Sequence, residues 1–415
     1  MRALVFGLPP QPTGQAPTGN PLLDALEATP MQLVERDAPA LPRPDWVRLR
    51  PRLTGICGSD AKQVFMDWGT ADAALGLPTN PMIDFSSFPQ ILGHEVVADV
   101  VEVGPEATGV TVGDRVVLNP WLSCAPRGIE PLCPACAEGD LTLCWNFRTG
   151  PLAPGIHIGT STDLPGGFAT EMLAHDSMVF RVPDSVPDEI AVFADPFAVS
   201  LHSVTRHAPA PGSKVLVYGA GALGSCAVAI LRALHPSVEV GVVARFASQA
   251  DLARRLGAHR VFAHEPLKDL IEEIAEWSGG VLHGDHDLPM AFPGGIDVVY
   301  DTISKRESVE VGTRVLKARG TLVKAGVHGA FAWEWTPLYF KELTWVGSNA
   351  FGTEEVDGVR QHGIAHYLDL VGSGRIDLSP MLTHTFPLDE WRSAFTALAT
   401  QADSGAIKVA FDQRS

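Results

Sequence analysis

The hydrophobic positions along the chain change their spacing near Lys214. Before that residue, short apolar runs rich in β-branched residues are separated by turns containing Gly or Pro, which is typical of a mostly antiparallel, barrel-like β region. The clearest runs are residues 46–50, 95–103 and 114–118. Two stretches rich in Pro, Gly and Thr, about 8–30 and 66–90, predict surface loops.

After Lys214, buried strands alternate with helices. The predicted strands are 215–218, 238–243, 296–300 and 321–324, and the predicted helices are 225–234, 248–256 and 306–317. Ser248 and Asp251 have the spacing of a capping box at the start of the second helix. This alternation predicts an α/β fold with a doubly wound parallel sheet. The last segment, 346–415, no longer alternates, and we expect it to rejoin the first region.

A glycine motif, Gly219-x-Gly221-x-x-Gly224, follows the first of these strands and opens a helix. In this context the first glycine permits a tight turn, the second lets the backbone approach a pyrophosphate, and the third allows close packing of helix on strand. The helix N-terminus, at Ala222 and Leu223, offers unpaired N–H groups to phosphates. The motif therefore predicts a dinucleotide site; the alternative is a glycine-rich turn without a ligand.

The residue that ends the second strand indicates which dinucleotide binds. An acid there would bind the ribose 2′-hydroxyl and repel a 2′-phosphate. Ala244 occupies this position, Arg245 follows it, and Ser248 offers a further hydroxyl. A small residue next to a guanidinium favours NADP. The alternative is that Arg245 stacks on the adenine ring and NAD is used.

Composition and charge indicate which kinds of binding partner the protein is not suited to. The chain has 415 residues, with 31 Lys and Arg against 48 Asp and Glu, for a formal charge of −17. Nucleic acids and anionic membranes are therefore poor partners. The longest uncharged stretch, 215–231, is shorter than a membrane span of ~20 residues, and the first residues do not form a secretory signal. We expect a cytoplasmic protein.

Four of the six cysteines fall within one short segment. They are Cys124, Cys133, Cys136 and Cys144. In a long chain without a secretory signal, such crowding indicates metal rather than disulfides, and the inner Cys-Pro-Ala-Cys can grip one tetrahedral ion. A redox pair or unrelated thiols are the alternatives, but a redox pair leaves two of the four cysteines unexplained. We predict a structural zinc site.

Two further segments complete a recognisable set. Gly55-Ile56-Cys57-Gly58-Ser59-Asp60 is followed by Gly93-His94-Glu95, and the segments 113–116 and 166–169 read Gly-Asp-Arg-Val and Gly-Gly-Phe-Ala. Each alone could be structural. Together with the dinucleotide motif and the cysteine-rich lobe, they resemble the zinc-dependent medium-chain alcohol and polyol dehydrogenases over essentially the whole chain.

The resemblance implies a GroES-like β-barrel catalytic domain plus a Rossmann domain. The catalytic domain would be 1–197, completed by 345–415, and the Rossmann domain would be 198–344. The implied reaction is hydride transfer between an alcohol, secondary or polyol-like, and NAD(P). The implied cofactors are two zinc ions per chain and NADP or NAD, in a homodimer or homotetramer.

The resemblance also assigns the catalytic zinc ligands residue by residue. Cys57 and His94 match two of them, and Asp195, which precedes Pro196, takes the position of the third. An Asp before a Pro is also the pattern of a helix N-cap, and one carboxylate can serve both roles. Glu95 is an alternate ligand or supports one.

The same comparison with the family assigns a proton path. Asp60 matches the acceptor that orients the zinc-bound histidine, and Ser59 matches the hydroxyl that takes the substrate proton. Lys62 stands where classical members often have a histidine, so it either passes the proton outward or is a surface lysine without a role. The eight residues between Cys124 and Cys133 also depart from the family, which usually has two.

Two alternative functions remain open. One is a zinc-free reductase of the same superfamily acting on activated double bonds or quinones, which Cys57 and His94 disfavour. The other is a catalytically silent, nucleotide-binding regulator, which Ser59 and Asp60 disfavour. For the substrate, residues 120, 121, 145 and 147 indicate either an aromatic-friendly pocket or ordinary core.

Overall fold

The computed structural model of the protein describes residues 1–67, 81–284 and 288–414. The elements of the first region are β1 (Arg2–Phe6), α1 (Pro21–Ala28), β2 (Met31–Glu35), β3 (Trp46–Gly55), α2 (Gly58–Val64), β4 (Glu95–Val103), β5 (Arg115–Leu118), α3 (Pro134–Glu138), β6 (Met172–His175), β7 (Val179–Arg181), α4 (Asp188–Ala191) and α5 (Ala194–Arg206). Short 3-10 helices lie at Pro81–Phe85, Leu141–Leu143 and Asp176–Met178.

The second region follows the predicted alternation. Its elements are β8 (Lys214–Tyr218), α6 (Ala222–Leu234), β9 (Glu239–Ala244), α7 (Ala247–Arg255), β10 (Arg260–Ala263), α8 (Leu267–Ser278), β11 (Leu282–His283), β12 (Met290–Ala291), β13 (Ile296–Asp301), α9 (Arg306–Val315), β14 (Leu316–Lys324), α10 (Thr336–Phe340) and β15 (Thr344–Gly347). The tail contains β16 (Thr353–Val356), β17 (Val359–His362), α11 (Gly363–Gly372), β18 (Leu382–Phe386), α12 (Trp391–Ala399), α13 (Gln401–Ser404) and β19 (Lys408–Asp412), with 3-10 turns at Ser379–Met381 and Leu388–Glu390.

The first region is built on one large sheet in the order β18-β19-β3-β4-β5-β7, with β6 also paired to β3. All its pairings are antiparallel except that of β18 with β19. The tail strand β19 lies beside β3, so the end of the chain is part of this sheet, as the loss of alternation after residue 346 predicts. The β3–β4 register places Gly55 opposite Glu95.

The second region is a six-stranded sheet in the order β10-β9-β8-β13-β14-β15, with every pairing parallel. Numbered along this region, the order is third, second, first, fourth, fifth, sixth. The direction of winding therefore reverses between β8 and β13. In such sheets ligands bind at the carboxyl ends of the strands beside this reversal.

Helix α5 connects the two regions. Its first turn carries Asp195, and its middle lies against α6, where the Ser200 hydroxyl donates to the Leu223 carbonyl at 2.9 Å. Phe197 and Leu201 of α5 are fully buried. The boundaries predicted at 197/198 and 344/345 fall inside α5 and β15, so the division into domains stays a prediction.

Three arginines hold the chain just before α5. Buried Asp188 accepts from Arg52 at 2.8 Å, from Arg115 at 3.0 Å and from Arg414 at 3.4 Å. Arg52 and Arg115 belong to the sheet and Arg414 to the end of the chain. Because the Asp188 carboxylate binds all three guanidinium groups, the segment that leads into α5 is fixed relative to the sheet.

Three local predictions need comment. The stretch 8–30 is not all loop, because Asn20 caps α1 by accepting from the N–H groups of Leu22 and Leu23 at 3.0 and 3.4 Å. Of the loop predicted at 66–90, residues 68–80 lie outside the described residues, and Pro81–Phe85 is a 3-10 helix.

The capping box at Ser248 was wrong. Helix α7 begins at Ala247 after Phe246, and the Ser248 hydroxyl is buried without a hydrogen-bond partner among the described residues. The helix starts one residue earlier than predicted, without a side-chain cap, and the Gln249 side chain accepts from the Arg245 N–H at 3.3 Å. Across the described residues, no helix combines the length and apolarity that crossing a bilayer requires.

Candidate active site and metal centres

The β3–β4 pairing brings the first group of metal-binding side chains together. Cys57 lies two residues beyond the end of β3, and His94 and Glu95 lie at the start of β4. One ligand atom from each of these three residues lies within 4.8 Å of the others. Two strand ends that are adjacent in the sheet thus place a thiol, an imidazole and a carboxylate at one point.

Asp60 fixes the positions of Cys57 and His94. It is buried in the first turn of α2, where its carboxylate accepts from the Cys57 N–H at 3.0 Å and its Oδ1 lies 3.6 Å from His94 Nδ1. Burial alone would raise the pKa of Asp60, but the His94 ring and the Cys57 N–H outweigh burial and lower it. The Asp60 carboxylate therefore faces Nδ1 of the ring, beyond hydrogen-bond distance, and Nε2 is left for a metal.

Lys408, which sequence reasoning missed, is paired with Glu95. Both side chains are 2% exposed and form an ion pair, and Lys408 Nζ also donates to the Ile56 carbonyl at 3.0 Å. A Cβ on Gly55 would overlap the Glu95 carboxylate and crowd the Lys408 side chain, so glycine is required there. No local sequence signal marks Lys408, because only the pairing of β19 with β3 brings it to the site.

Asp195 lies near this group but outside it. Among the described residues, the set within 4.8 Å consists of Cys57, His94 and Glu95. Asp195 is in the first turn of α5, whose N-cap is Phe193, so the N-cap alternative is wrong. Burial raises the pKa of Asp195 to about 7, with Glu95 adding to the shift and His94 opposing it. Its role as a ligand stays a prediction.

Ser59 and Lys62 lie on α2, directly after Cys57. Ser59 is half-buried. Lys62 is not a free surface lysine, because its Nζ donates to the Val327 carbonyl just beyond β14. Burial, and then the charge of Lys305, lower the pKa of Lys62. The helix that follows Cys57 therefore contacts the carboxyl edge of the parallel sheet.

The four lobe cysteines form a second, closed group. Their sulfur atoms all lie within 4.8 Å of one another, all four residues are buried, and none is in a disulfide. Cys124 and Cys144 are 3.7 Å apart, and Asn146 donates to both sulfurs, from its side chain at 3.1 Å to Cys124 and from its backbone at 3.3 Å to Cys144.

The pKa values of the Cys133 and Cys136 thiols are shifted in opposite directions. Burial works to raise the pKa of Cys133, but N–H groups of Trp145 and Cys136 outweigh it and lower the pKa to about 7. Burial raises the pKa of Cys136 to about 11. Four sulfurs this close fit one tetrahedral divalent cation, since thiolates repel each other without one.

Arg127 accounts for the long Cys124–Cys133 spacing. Its side chain is completely buried without a carboxylate partner among the described residues, and its guanidinium donates to five carbonyls at 2.9 to 3.1 Å. These belong to Leu122, Thr149, Leu152, Ala153 and Gly155. The extra loop residues therefore supply a clamp for the segment 149–155.

The glycine motif lies between β8 and α6, at the reversal of the parallel sheet. Gly219 has φ +100°, a conformation that L side chains rarely adopt, and a Cβ on Gly224 would overlap the Gly219 carbonyl. A Cβ on Gly221 would meet nothing within 4 Å, so the space before the N–H groups of Ala222 and Leu223 is open. This fits a pyrophosphate.

Ala244 is the last residue of β9, as predicted, and is buried. Arg245 is exposed, its guanidinium lies 5.2 Å from the Phe246 ring centroid, and among the described residues it has no carboxylate partner. A free cation therefore stands at the end of the second strand. Ser248 lies on the same turn with its hydroxyl unpaired.

His157 is a second residue near the metal group that sequence reasoning missed. Its ring centroid lies 4.6 Å from that of His94, and the Trp121 ring meets it edge-on at 5.7 Å. Burial, and then His94, lower the pKa of His157 to about 3. Trp121 in turn packs on Phe147 at 6.0 Å. Sequence reasoning proposed these two aromatic residues for the pocket, but nothing in the spacing indicated the histidine.

Comparison with known proteins agrees with this geometry. A sequence profile described as alcohol dehydrogenase GroES-like domain matches residues 43–184, and one described as zinc-binding dehydrogenase matches residues 222–363. L-threonine 3-dehydrogenase of Pectobacterium carotovorum is 27% identical over 387 residues, covering 92% of this chain and 96% of that protein. Sorbitol dehydrogenase of Arabidopsis thaliana is 26% identical over 373 residues and covers 89% of each.

A solved structure shows the same fold. A candidate zinc-binding dehydrogenase of Sinorhizobium meliloti 1021, bound to NADP, superposes with a TM-score of 0.68 at 25% identity, covering 94% of this chain and 97% of that one.

Fold and site together define a zinc-dependent oxidoreductase that acts on alcohols and uses a nicotinamide cofactor. The chain belongs to the zinc-binding, medium-chain alcohol dehydrogenase family, whose two profiles together match more than half of it. The predicted fold class, a GroES-like domain plus a Rossmann-type parallel sheet, is confirmed.

Proposed function

We propose that the protein oxidises a secondary alcohol or polyol-like substrate with NADP, at a zinc site carried by the first region. The observation that carries this proposal is the meeting of Cys57, His94 and Glu95 within 4.8 Å, immediately before a helix that contacts the parallel sheet. The similarity to a sorbitol dehydrogenase supports a polyol-like substrate.

We assign two zinc ions to each chain. The lobe cysteines hold the structural ion with a closed set of four sulfurs, whereas Cys57, His94 and Asp195 hold the catalytic one and leave a position open. Supporting Asp195, its buried carboxylate has no hydrogen bond among the described residues. Glu95, which is held by Lys408, supports the site or serves as the alternate ligand.

The chain's own residues handle the proton. Zinc in this site supplies a Lewis acid that makes a substrate hydroxyl more acidic, and the nicotinamide supplies the hydride acceptor. Ser59 takes the hydroxyl proton. Lys62 lies three residues further along α2, on the same face, and carries the proton toward solvent. Asp60 keeps the His94 ring oriented throughout.

The cofactor in this proposal lies across the glycine motif. The N–H groups at the start of α6 bind the pyrophosphate, and Arg245, with Ser248 beside it, binds the 2′-phosphate of NADP. Support comes from the absence of an acid at Ala244 and from the unpaired state of Arg245 among the described residues.

Three further assignments belong to the proposal. The catalytic domain is 1–197 with 345–415, and the Rossmann domain is 198–344. The protein is a homodimer or homotetramer. It acts in the cytoplasm, which is consistent with six cysteines that form no disulfide.

Metal analysis with one variant tests the function. The protein purified without chelators should contain two zinc ions per chain and oxidise secondary alcohols. Cys57→Ser should lose at least 1,000-fold in kcat, keep its circular dichroism spectrum, and retain the lobe zinc. Turnover that survives this substitution would instead support the zinc-free reductase. Tight cofactor binding without turnover of any alcohol or polyol would support the regulator.

A further inference from the structure

His157 stands beside the catalytic group but has no part in the chemistry described so far. Its ring lies against His94 with centroids 4.6 Å apart and planes inclined at 48°. Because His94 is a metal ligand in the proposed function, a substrate oxygen held at the metal has His157 as a close neighbour. The residue is partly exposed, and its Nε2 is not among the unpaired side-chain atoms that are buried from solvent.

The hydrogen bonds of His157 define which of its atoms is available. Its Nδ1 lies 2.6 Å from the Ile158 carbonyl. A carbonyl can only accept, so Nδ1 carries the proton and the neutral ring presents Nε2 as an acceptor. No hydrogen bond to Nε2 occurs among the described residues.

The ring is held firmly by its surroundings. His157 and Trp121 face each other in an antiparallel bridge, and the Ile158 N–H donates to the Pro120 carbonyl at 2.8 Å. The His157 N–H donates to the Thr160 hydroxyl at 3.1 Å. The segment before it is clamped by four of the five hydrogen bonds of Arg127. An acceptor fixed in this way can discriminate between substrates, since binding does not require it to be ordered first.

The Trp121 ring beside His157 carries a second unpaired polar atom. The indole N–H of Trp121 is buried and has no acceptor among the described residues. Buried polar atoms are nearly always paired in native proteins, and exceptions call for an explanation. This N–H belongs to the ring that meets His157 edge-on, so both unpaired atoms lie on one aromatic pair.

We propose that His157 is a specificity-determining residue that accepts a hydrogen bond from a second substrate hydroxyl, next to the one being oxidised. The protein therefore prefers vicinal diols to monohydric alcohols of the same size. This inference rests on the proposed function, because it places the reacting oxygen beside His94. A site built to bind a hydroxyl strongly rejects the analogue that lacks it, since its polar atoms are then left unpaired.

The test compares 2,3-butanediol with 2-butanol, which differ by the second hydroxyl, using zinc-loaded protein and NADP. The wild type should show a kcat/KM at least 100-fold higher for the diol. His157→Phe, which keeps a ring against His94, should reduce this preference at least tenfold, mainly through KM for the diol. The kcat/KM for 2-butanol should fall by a clearly smaller factor than that for the diol.

A second variant separates recognition from packing. His157→Gln keeps an acceptor near the position of Nε2 and should retain more of the diol preference than His157→Phe. Equal kcat/KM for the two substrates in the wild type, or an equal loss on both in His157→Phe, would overturn the inference and leave the alcohol dehydrogenase function intact. Absence of turnover on both substrates in the zinc-loaded wild type would instead count against the proposed function itself.

Discussion

At the scale of single residues, Arg245 and Arg260 offer a matched pair. Both are exposed, and each guanidinium lies over a phenylalanine ring, at 5.2 Å from Phe246 and 5.9 Å from Phe262. Arg245 follows the carboxyl end of β9, whereas Arg260 begins β10 at the opposite end of the sheet. Only Arg245 lies where a ribose 2′-phosphate would be.

Arg245→Ala should therefore lower kcat/KM for NADP about 10- to 100-fold, since a hydrogen bond to a charged group contributes roughly 1.5–3 kcal/mol. The kcat/KM for NAD should change less than about threefold. Arg260→Ala should leave both values near those of the wild type. A wild type that prefers NAD, with a cofactor ratio unchanged by Arg245→Ala, would contradict the NADP assignment.

Single residues also show which parts of the site the sequence alone predicts and which parts it does not. Cys57, Ser59 and Asp60 could be found because they share one short motif, and the β3–β4 pairing then brings His94 to them. Lys408 could not be found, because its partner Ile56 is 352 residues away and their contact depends on how β19 enters the sheet. His157 was missed because its position against His94 depends on a bridge to Trp121.

At the scale of elements, the cysteine lobe is joined to the tail as well as to the first region. The Thr142 hydroxyl donates to the Asn349 carbonyl at 3.0 Å, and Arg360 on β17 donates to the Glu138 carbonyl at 3.0 Å. A structural metal contributes directly to folding free energy. Loss of the lobe metal should therefore loosen both the lobe and the 349–362 hairpin segment.

Cys136→Ser should reduce the zinc content from two ions per chain to one and lower Tm by several degrees. Hydrogen exchange should increase at 138–142 and 349–362. Cys226→Ala is the matched control, because Cys226 is a buried thiol in α6 outside both metal groups. It should keep two zinc ions and normal exchange in these segments. Two zinc ions in Cys136→Ser would contradict the structural site.

Elements differ in how far the sequence predicts them. Strands β8, β9, β13 and β14 and helices α6, α7 and α9 were predicted because each has a clear apolar period, whereas β10, α8, α10 and β15 were not predicted. Helix α1 was missed although Asn20 and Pro21 form a good cap and first turn, since the surrounding residues are dominated by Pro, Gly and Thr. The start of α7 was misplaced because the Ser248 hydroxyl makes no capping hydrogen bond and the N-cap is Phe246.

At the scale of the whole molecule, the parallel sheet ends in β15, whose outer edge pairs with no other strand of the described residues. Just before it, Trp335, Tyr339 and Phe340 are 69%, 79% and 66% exposed. An unpaired edge beside exposed aromatic side chains favours association with a second chain. This supports the proposed homodimer or homotetramer.

Light scattering at micromolar concentration should give at least twice the mass of one chain. Tyr339→Lys should shift the population toward monomer, because it places a charge among the exposed aromatics. Val112→Lys, at a turn residue that is 64% exposed in the first region, should leave the mass unchanged. A monomeric wild type at this concentration would end the proposal.

The 125–132 loop and the 149–155 segment depend on each other structurally, because Arg127 of the loop donates to carbonyls of the segment. A chimera that received the 125–132 loop of a relative with closely spaced cysteines would leave the carbonyls of 149–155 without their donor. In the reverse exchange, a relative that received only the 125–132 loop would bury the Arg127 guanidinium without the carbonyl acceptors of 149–155. Because 149–155 leads directly to His157, exchanging either stretch alone should also displace the His157 ring and weaken the diol preference that we propose for it.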